Sequence, residues 1–194
     1  MKNLLGLIAF ALILMASPAS AGGWYAGGYG GANWDDVISL KGVDAQTGTV
    51  IGGVVGTQVS AVPGMRVEVD VSYRQNDVEV KFGPGIDVSH ETIGVLGNFI
   101  YDVPVKLGPV QPYVLAGVGV ASTEATFENV SLLKLEATGL AWQLGAGLNT
   151  RLADNIVFGL GYRYFNGPEL EVLGTELSDG TNHSVVAELK FAFN

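Results

Sequence analysis

The sequence predicts an all-β protein: an eight-stranded antiparallel up-and-down transmembrane β-barrel. Three observations carry that prediction. From Met65 to Arg74, Met65, Val67, Val69, Val71 and Tyr73 alternate with Arg66, Glu68, Asp70, Ser72 and Arg74. A period of two sends successive side chains to opposite faces of a strand, so one face is apolar and the other charged. The last residues repeat the pattern, with Val185, Ala187, Leu189, Phe191 and Phe193 set against Ser184, Val186, Glu188, Lys190 and Ala192. Past the N-terminal leader, no segment is apolar for the ~20 residues a membrane-spanning helix needs. Strands with one greasy and one charged face, behind an export leader, imply lipid outside and polar groups within.

Met1 to Ala21 reads as that leader. Lys2 charges a short first region, Leu4 to Met15 form an apolar run, and Ala19-Ser20-Ala21 offers small residues for cleavage before Gly22. The run is too short to cross a bilayer core of about 30 Å as a helix. The chain contains no Cys, which excludes a disulfide framework, thiolate chemistry and a lipid-modified N-terminal Cys. Residues 22–194 then form one domain, and its share of the 28 Gly argues against a helical protein.

Eight segments of about 10 residues, the length of a tilted spanning strand, follow in order. Trp24–Trp34 opens on an aromatic and carries Gly27 and Gly31 on one face. Thr49–Val59 runs into the turn Val62-Pro63-Gly64, and Met65–Arg74 is the alternation already described. Thr92–Tyr101 stops before Asp102–Gln111, a connection broken by Pro104 and Pro109. Pro112–Ala121 places Gly117 and Gly119 together, and Leu140–Thr150 does the same with Gly145 and Gly147. Ala153-Asp154-Asn155 then turns the chain into Ile156–Phe165, which carries Gly159 and Gly161. Ser184–Phe193 closes the series.

The connections after the first, third, fifth and seventh segments are long, and the others shorter. Short turns on one side and long loops on the other is the asymmetry of such barrels. All eight of those strand glycines share a face with charged positions, as a narrow lumen requires. Gly117-Val-Gly119 and Gly145-Ala-Gly147 superficially suggest a nucleotide loop, but neither opens a helix or completes a third glycine.

The net charge of −9 is unevenly spread, because the acids gather in Asp35–Gly48, Gln75–Glu91, Ser122–Thr138 and Asn166–Asn182. An acidic crown argues against nucleic acid as a partner. Inside the second of these connections Val78, Val80 and Phe82 alternate with Asp77, Glu79 and Lys81, on the opposite parity to Met65–Tyr73. Either a bulge near Gln75–Asn76 resets the phase, or the hairpin rises above the membrane with its faces exchanged. Phe127, Leu132 and Leu133 make the third connection greasy for an exposed loop. With Phe82 they are the candidate contacts for a partner chain.

Trp24-Tyr25-Ala26-Gly27-Gly28, Gln111-Pro112-Tyr113-Val114-Leu115-Ala116-Gly117-Val118-Gly119, Ala141-Trp142-Gln143-Leu144-Gly145-Ala146-Gly147 and Gly161-Tyr162-Arg163-Tyr164-Phe165 resemble the small outer-membrane β-barrel family. That family includes the opacity-type proteins and the membrane domain of outer membrane protein A. The resemblance covers residues 22–194. It implies an outer-membrane location, contact with outer-membrane lipid, and insertion by the outer-membrane assembly machinery, for which Phe191 and Phe193 are the candidate signal. The chain closes one residue past the eighth segment, so the peptidoglycan-binding domain of some relatives is expected to be absent.

Arg66, Glu68, Asp70, Arg74, Arg163, Glu188 and Lys190 are expected to point into the lumen. Charges of opposite sign must pair there, since an unpaired buried ion costs several kcal/mol. Such a cluster fills the core and fixes register; read functionally, it would be a charged constriction. Eight strands enclose little more than their own side chains, so passage of nutrients is not expected. Lipid hydrolases of similar size use His with Ser. His183-Ser184 are adjacent, however, and a shared face would need a His-x-Ser spacing. His90 and His183 also lack metal-ligand spacing with acids, so neither a metal nor any other cofactor is expected.

The function expected is a non-enzymatic surface barrel, its body supporting envelope integrity and its loops interacting with a surface or host ligand. The alternatives are a narrow porin-like channel and a lipid-modifying enzyme. A soluble lipocalin-like barrel would reverse the faces. Trp24, Tyr101, Trp142, Tyr162, Tyr164 and Phe193 near strand ends on the apolar face favour lipid outside.

Overall fold

A computed structural model describes residues 23–35, 43–45, 47–80, 86–105, 107–127, 134–168, 170–172, 175–178 and 180–193. Eleven strands run β1 Trp24–Asp35, β2 Val43–Ala45, β3 Gly48–Gln58, β4 Met65–Val80, β5 Ile86–Asp102, β6 Val110–Phe127, β7 Lys134–Ala153, β8 Ile156–Asn166, β9 Leu170–Val172, β10 Thr175–Ser178 and β11 Thr181–Phe193. The eight long ones pair antiparallel with their chain neighbours, and β1 pairs β11 from Trp24↔Phe193 to Asp35↔Asn182. That seam leaves the spanning sheet without an edge, which lipid demands of a β structure.

Trp24 pairs with Thr57, Thr57 with Val67, Val67 with Phe99, Phe99 with Ala116, Ala116 with Leu144, Leu144 with Tyr164, Tyr164 with His183, and His183 with Trp34. One circuit therefore climbs from Trp24 to Trp34 on the same strand, and this stagger tilts every strand. Ten residues at about 3.3 Å each, tilted by about 40°, rise roughly 25 Å, the height of an outer-membrane apolar band. Trp24, Tyr101, Phe191 and Phe193 stand near its lower border. Trp34, Trp142, Tyr164 and His183 stand near the upper one, in ring contact with one another. Ile51, Phe99, Val118, Leu144 and Leu160 are exposed between them. The lipocalin-like arrangement of faces is thereby excluded.

The lumen is lined by the other parity. Glycines are required where strands pack closest: a Cβ on Gly27 would lie 2.9 Å from Lys190 Cγ, and one on Gly147 2.6 Å from the Tyr113 hydroxyl. Small apolar groups fill between the charges, Tyr29, Val50, Val54 and Val186 at mid-height and Leu96, Ala121, Ala141 and Phe165 above. At the β3–β4 turn, Gly64 has φ +82°, and its carbonyl accepts from Asp102 N at 2.8 Å.

One feature differs from the sequence reading, and a second bears on its two alternatives at Gln75–Asn76. The connections after the third and fifth spanning strands are largely strand, because β4–β7 continue well past the membrane border whereas β1, β3, β8 and β11 stop near it. No bulge occurs at Gln75–Asn76: β4–β5 pairing is unbroken from Met65↔Tyr101 to Val80↔Ile86. Unbroken pairing leaves no inserted residue to reset the phase, and the side chains of 77–89 lie outside the described ones.

Candidate functional site

Two places merit examination, the charged lumen and the raised wall. In the lumen, β4 supplies Arg66, Glu68, Asp70 and Arg74 at every second position, so all four face inward and all are buried. Strand β8 brings Arg163 and β11 brings Glu188 and Lys190 from the opposite side.

Arg163 Nη1 reaches Asp70 Oδ2 at 2.8 Å, and Arg163 Nη2 lies 3.9 Å from Glu188 Oε1. Lys190 Nζ bridges Glu188 at 3.0 Å and Glu68 at 3.5 Å. Arg66 contacts Glu68 at 3.3 Å and grips Asp102 with two donors, Nε at 3.0 Å and Nη2 at 2.8 Å. Arg74 donates to Ser72 Oγ at 2.7 Å, and its guanidinium lies 3.9 Å from the Phe165 ring centre.

Sequence reasoning passed over the neutral members of this network. Tyr25 donates to Glu68 at 2.7 Å and Tyr29 to Asp70 at 2.8 Å, while Gln143 donates to Asp70 at 3.2 Å and to Asn98 at 2.8 Å. Parity was the available signal, since Tyr25 and Tyr29 share a face with Gly27 and Gly31. Asp102 was hidden because it closes its strand at the turn. Low local dielectric strengthens these bonds, while Gln143 Oε1, Arg163 Nε and Glu188 Oε1 are buried without a hydrogen-bond partner. Beneath the network lies an open-mouthed cavity of about 740 Å³, lined by Tyr25, Arg66, Asn149, Arg151 and Lys190 among others.

His183 and Ser184 are not brought together. His183 faces outward, hydrogen-bonded to the Tyr162 hydroxyl and stacked with Trp34 at 6.2 Å. Ser184 is buried on the lumen side and donates to Asn182 at 3.1 Å. His90 lines a small closed space at the top of the lumen instead.

On the raised wall, the outward register carries Glu91, Glu124 and Glu136 side by side on β5, β6 and β7. Ser122 donates to Glu136 at 3.3 Å and Thr138 to Ser122 at 3.0 Å, so hydroxyls buffer one end of the row. Phe127 ends β6, paired with Val88. Phe82, Leu132, Leu133 and the leader 1–21 lie outside the described residues. Phe191 and Phe193 stand on the lipid face of the closing strand, paired with Ala26 and Trp24.

A closed barrel with an apolar belt, aromatic borders and a charged, ion-paired interior is a membrane-spanning β-barrel of the outer-membrane type. The chain belongs to the family described as outer membrane protein beta-barrel domain, which matches residues 4–193. Among solved structures it is similar to Neisserial surface protein A, with 17% identity, a TM-score of 0.61, and 89% of this chain and 100% of that one covered. The N-terminal β-barrel domain of Pseudomonas aeruginosa OprF matches at 16% identity and TM-score 0.50, over 89% and 98% of the two chains. Ail, the attachment invasion locus protein of Yersinia pestis, in complex with the heparin analogue sucrose octasulfate, matches at 15% and 0.51, over 89% and 99%. Likeness at these identities establishes the fold. No curated protein matches the chain.

Proposed function

We propose that this protein is a non-catalytic surface barrel of the outer membrane: its body supports the envelope and its raised outer end meets a partner. The observation that carries this reading is the pairing of a lumen crossed by ion pairs with strands β4–β7 that continue past the apolar belt. Ion pairs cross the lumen between β4, β8 and β11, which opposes a channel. The wall presents an acidic outer face to the surroundings, and exposed elements held by a rigid scaffold are where recognition concentrates. Export through the Met1–Ala21 leader and insertion guided by Phe191 and Phe193 belong to the same proposal.

Ail was crystallised with a heparin analogue, but the acidic face here favours a cationic or neutral partner over a polyanion. The separation of His183 from Ser184 supports the non-catalytic part of the reading.

Cells lacking the protein should be compared with cells expressing it whole or with Ser122–Thr138 shortened. Shortening should reduce adherence to a host or abiotic surface while leaving detergent resistance intact. Replacing Phe127, Leu132 and Leu133 with Ser should act in the same direction. A change in lipid acylation on expression, lost in His183→Ala or Ser184→Ala, would establish the enzyme reading instead.

A further inference from the structure

The lower rim of the barrel is apolar where a rim facing water would be polar. Its three connections, residues 59–64, 103–109 and 152–155, carry Val62, Val105, Leu107 and Leu152, all of them exposed. A lone exposed aliphatic side chain is ordinary, but these stand on adjoining connections. Gly64 O accepts from Asp102 N at 2.8 Å, which ties the first connection to the start of the second. Thr150 Oγ1 donates to Pro109 O at 3.3 Å, which ties the second to the end of β7 beside Leu152. Among the described residues of 59–64 and 103–110 no side chain is charged; Lys106 lies outside them. Leu152 follows Leu144 and Leu148 at the exposed positions of β7, so the rim continues the lipid-facing belt.

The backbone of the second connection suits the same surroundings. Val103 N donates to Pro112 O at 2.9 Å and Val105 N to Val103 O at 2.7 Å. Leu107 N and Val110 N each donate to the other residue's carbonyl, at 3.0 and 3.3 Å, around Gly108 at φ +66°. Pro104 and Pro109 carry no N–H, and the Gln111 carboxamide donates to Val103 O. Lipid penalises unpaired backbone donors, and this connection leaves few of them to water. Its depth agrees. Val105 follows the border residue Tyr101 by four residues, at most ~13 Å of extended chain. Headgroups add about 5–8 Å to each side of the hydrocarbon core, and an apolar segment can sit about 5–10 Å into that boundary.

We propose that the connection 103–110, flanked by Val62 and Leu152, is a membrane anchor lying between the acyl chains and headgroups of the periplasmic leaflet. Its partner is phospholipid rather than a periplasmic protein. A protein partner would need polar groups to fix its register, whereas this rim offers aliphatic side chains and a backbone already paired. Any acyl chain satisfies such a surface. Gly108, Pro109 and Gln111 of the same stretch line the lower cavity, so lipid meets one side of the connection and the lumen mouth the other. The anchor thereby holds that mouth at the membrane surface. It lies at the opposite end of the barrel from the acidic rows and stands whatever the outer end meets.

The chain has no Cys, so one position at a time can carry a polarity-sensitive fluorophore. Val105→Cys and Leu107→Cys are compared with Leu144→Cys in the belt and Asp154→Cys at the cavity mouth, each as whole protein in phosphatidylcholine vesicles. Asp154→Cys controls for the attraction of the fluorophore itself to lipid. Labels at 105 and 107 should emit to the blue of the label at 154. A nitroxide on the acyl chain near the headgroup should quench them at least about twofold more strongly than it quenches 154. Leu107→Asp, which brings a charge to the boundary, should reduce quenching at 105 by about half or more. The heat-dependent gel mobility of every variant verifies that the barrel is closed. Labels at 105 and 107 that emit like the one at 154 and escape the nitroxide would overturn the proposal and leave the rim to a periplasmic protein. So would quenching at 105 that is indifferent to Leu107→Asp.

Discussion

Arg163 Nη1 and Asp70 Oδ2 meet at 2.8 Å across the lumen, although 93 residues separate them in the chain. The same carboxylate accepts from Tyr29, Asn98 and Gln143, so one side chain of β4 ties down β1, β5, β7 and β8. Tyr29 also lies against the other side of Arg163, its ring centre 4.0 Å from the guanidinium carbon.

Removing one partner of this pair leaves a buried charge without its counter-ion. Asp70→Leu should cost about 3–5 kcal/mol, and the double replacement Asp70→Leu with Arg163→Met should cost less than the single. Urea unfolding in lipid vesicles, read by the loss of the fast-migrating folded band, measures both. A double variant less stable than either single would contradict the pairing.

Closure through β1 and β11 predicts a heat-dependent mobility shift in detergent gels. Ala187→Pro should abolish it, because this residue sits in β11 between Gly30 on β1 and Leu160 on β8. Proline removes a ladder donor from a strand paired on both sides. Identical migration of the unaltered protein before and after boiling would count against a closed barrel.

Planar bilayers containing the protein should show no sustained conductance, since ion pairs cross the lumen between β4, β8 and β11. Sustained steps abolished by Arg163→Gln would favour the narrow channel.

Two glycines of one strand should differ sharply. A Cβ on Gly31 would collide with the Val185 carbonyl, whereas on Gly28 its nearest neighbour would be the Gly52 carbonyl at 3.6 Å. Gly31→Ala should destabilise the barrel by about 1–3 kcal/mol or prevent its closure, and Gly28→Ala should be nearly neutral. Folding yield in vesicles, read on the same gels, distinguishes them.

Glu91, Glu124 and Glu136 stand in direct cross-strand register, where like charges repel. Glu91→Gln should therefore stabilise the barrel by roughly 0.2–1 kcal/mol at low salt. The gain should shrink as salt screens the row. Urea midpoints at low and high salt measure it, and a loss of stability at low salt would refute the repulsion.

The spanning part of the barrel was legible in the amino-acid sequence. Alternation in Met65–Arg74 and Ser184–Phe193 assigns each side chain to lipid or lumen, because a strand has only two faces and the bilayer accepts only one kind. Hence the eight strands, the seam and the inward placement of the seven lumen charges were legible residue by residue. Tertiary structure alone decided which charges meet. Asp70 finds Arg163, and Arg66 takes Asp102 as well as Glu68, because the ten-residue stagger sets the height of each strand against those facing it. No local pattern encodes that stagger. It also took the register to show β4–β7 rising past the membrane with no bulge at Gln75–Asn76. A change of parity in one strand is ambiguous between a bulge and an exchange, and only its partner's unbroken pairing distinguishes the two.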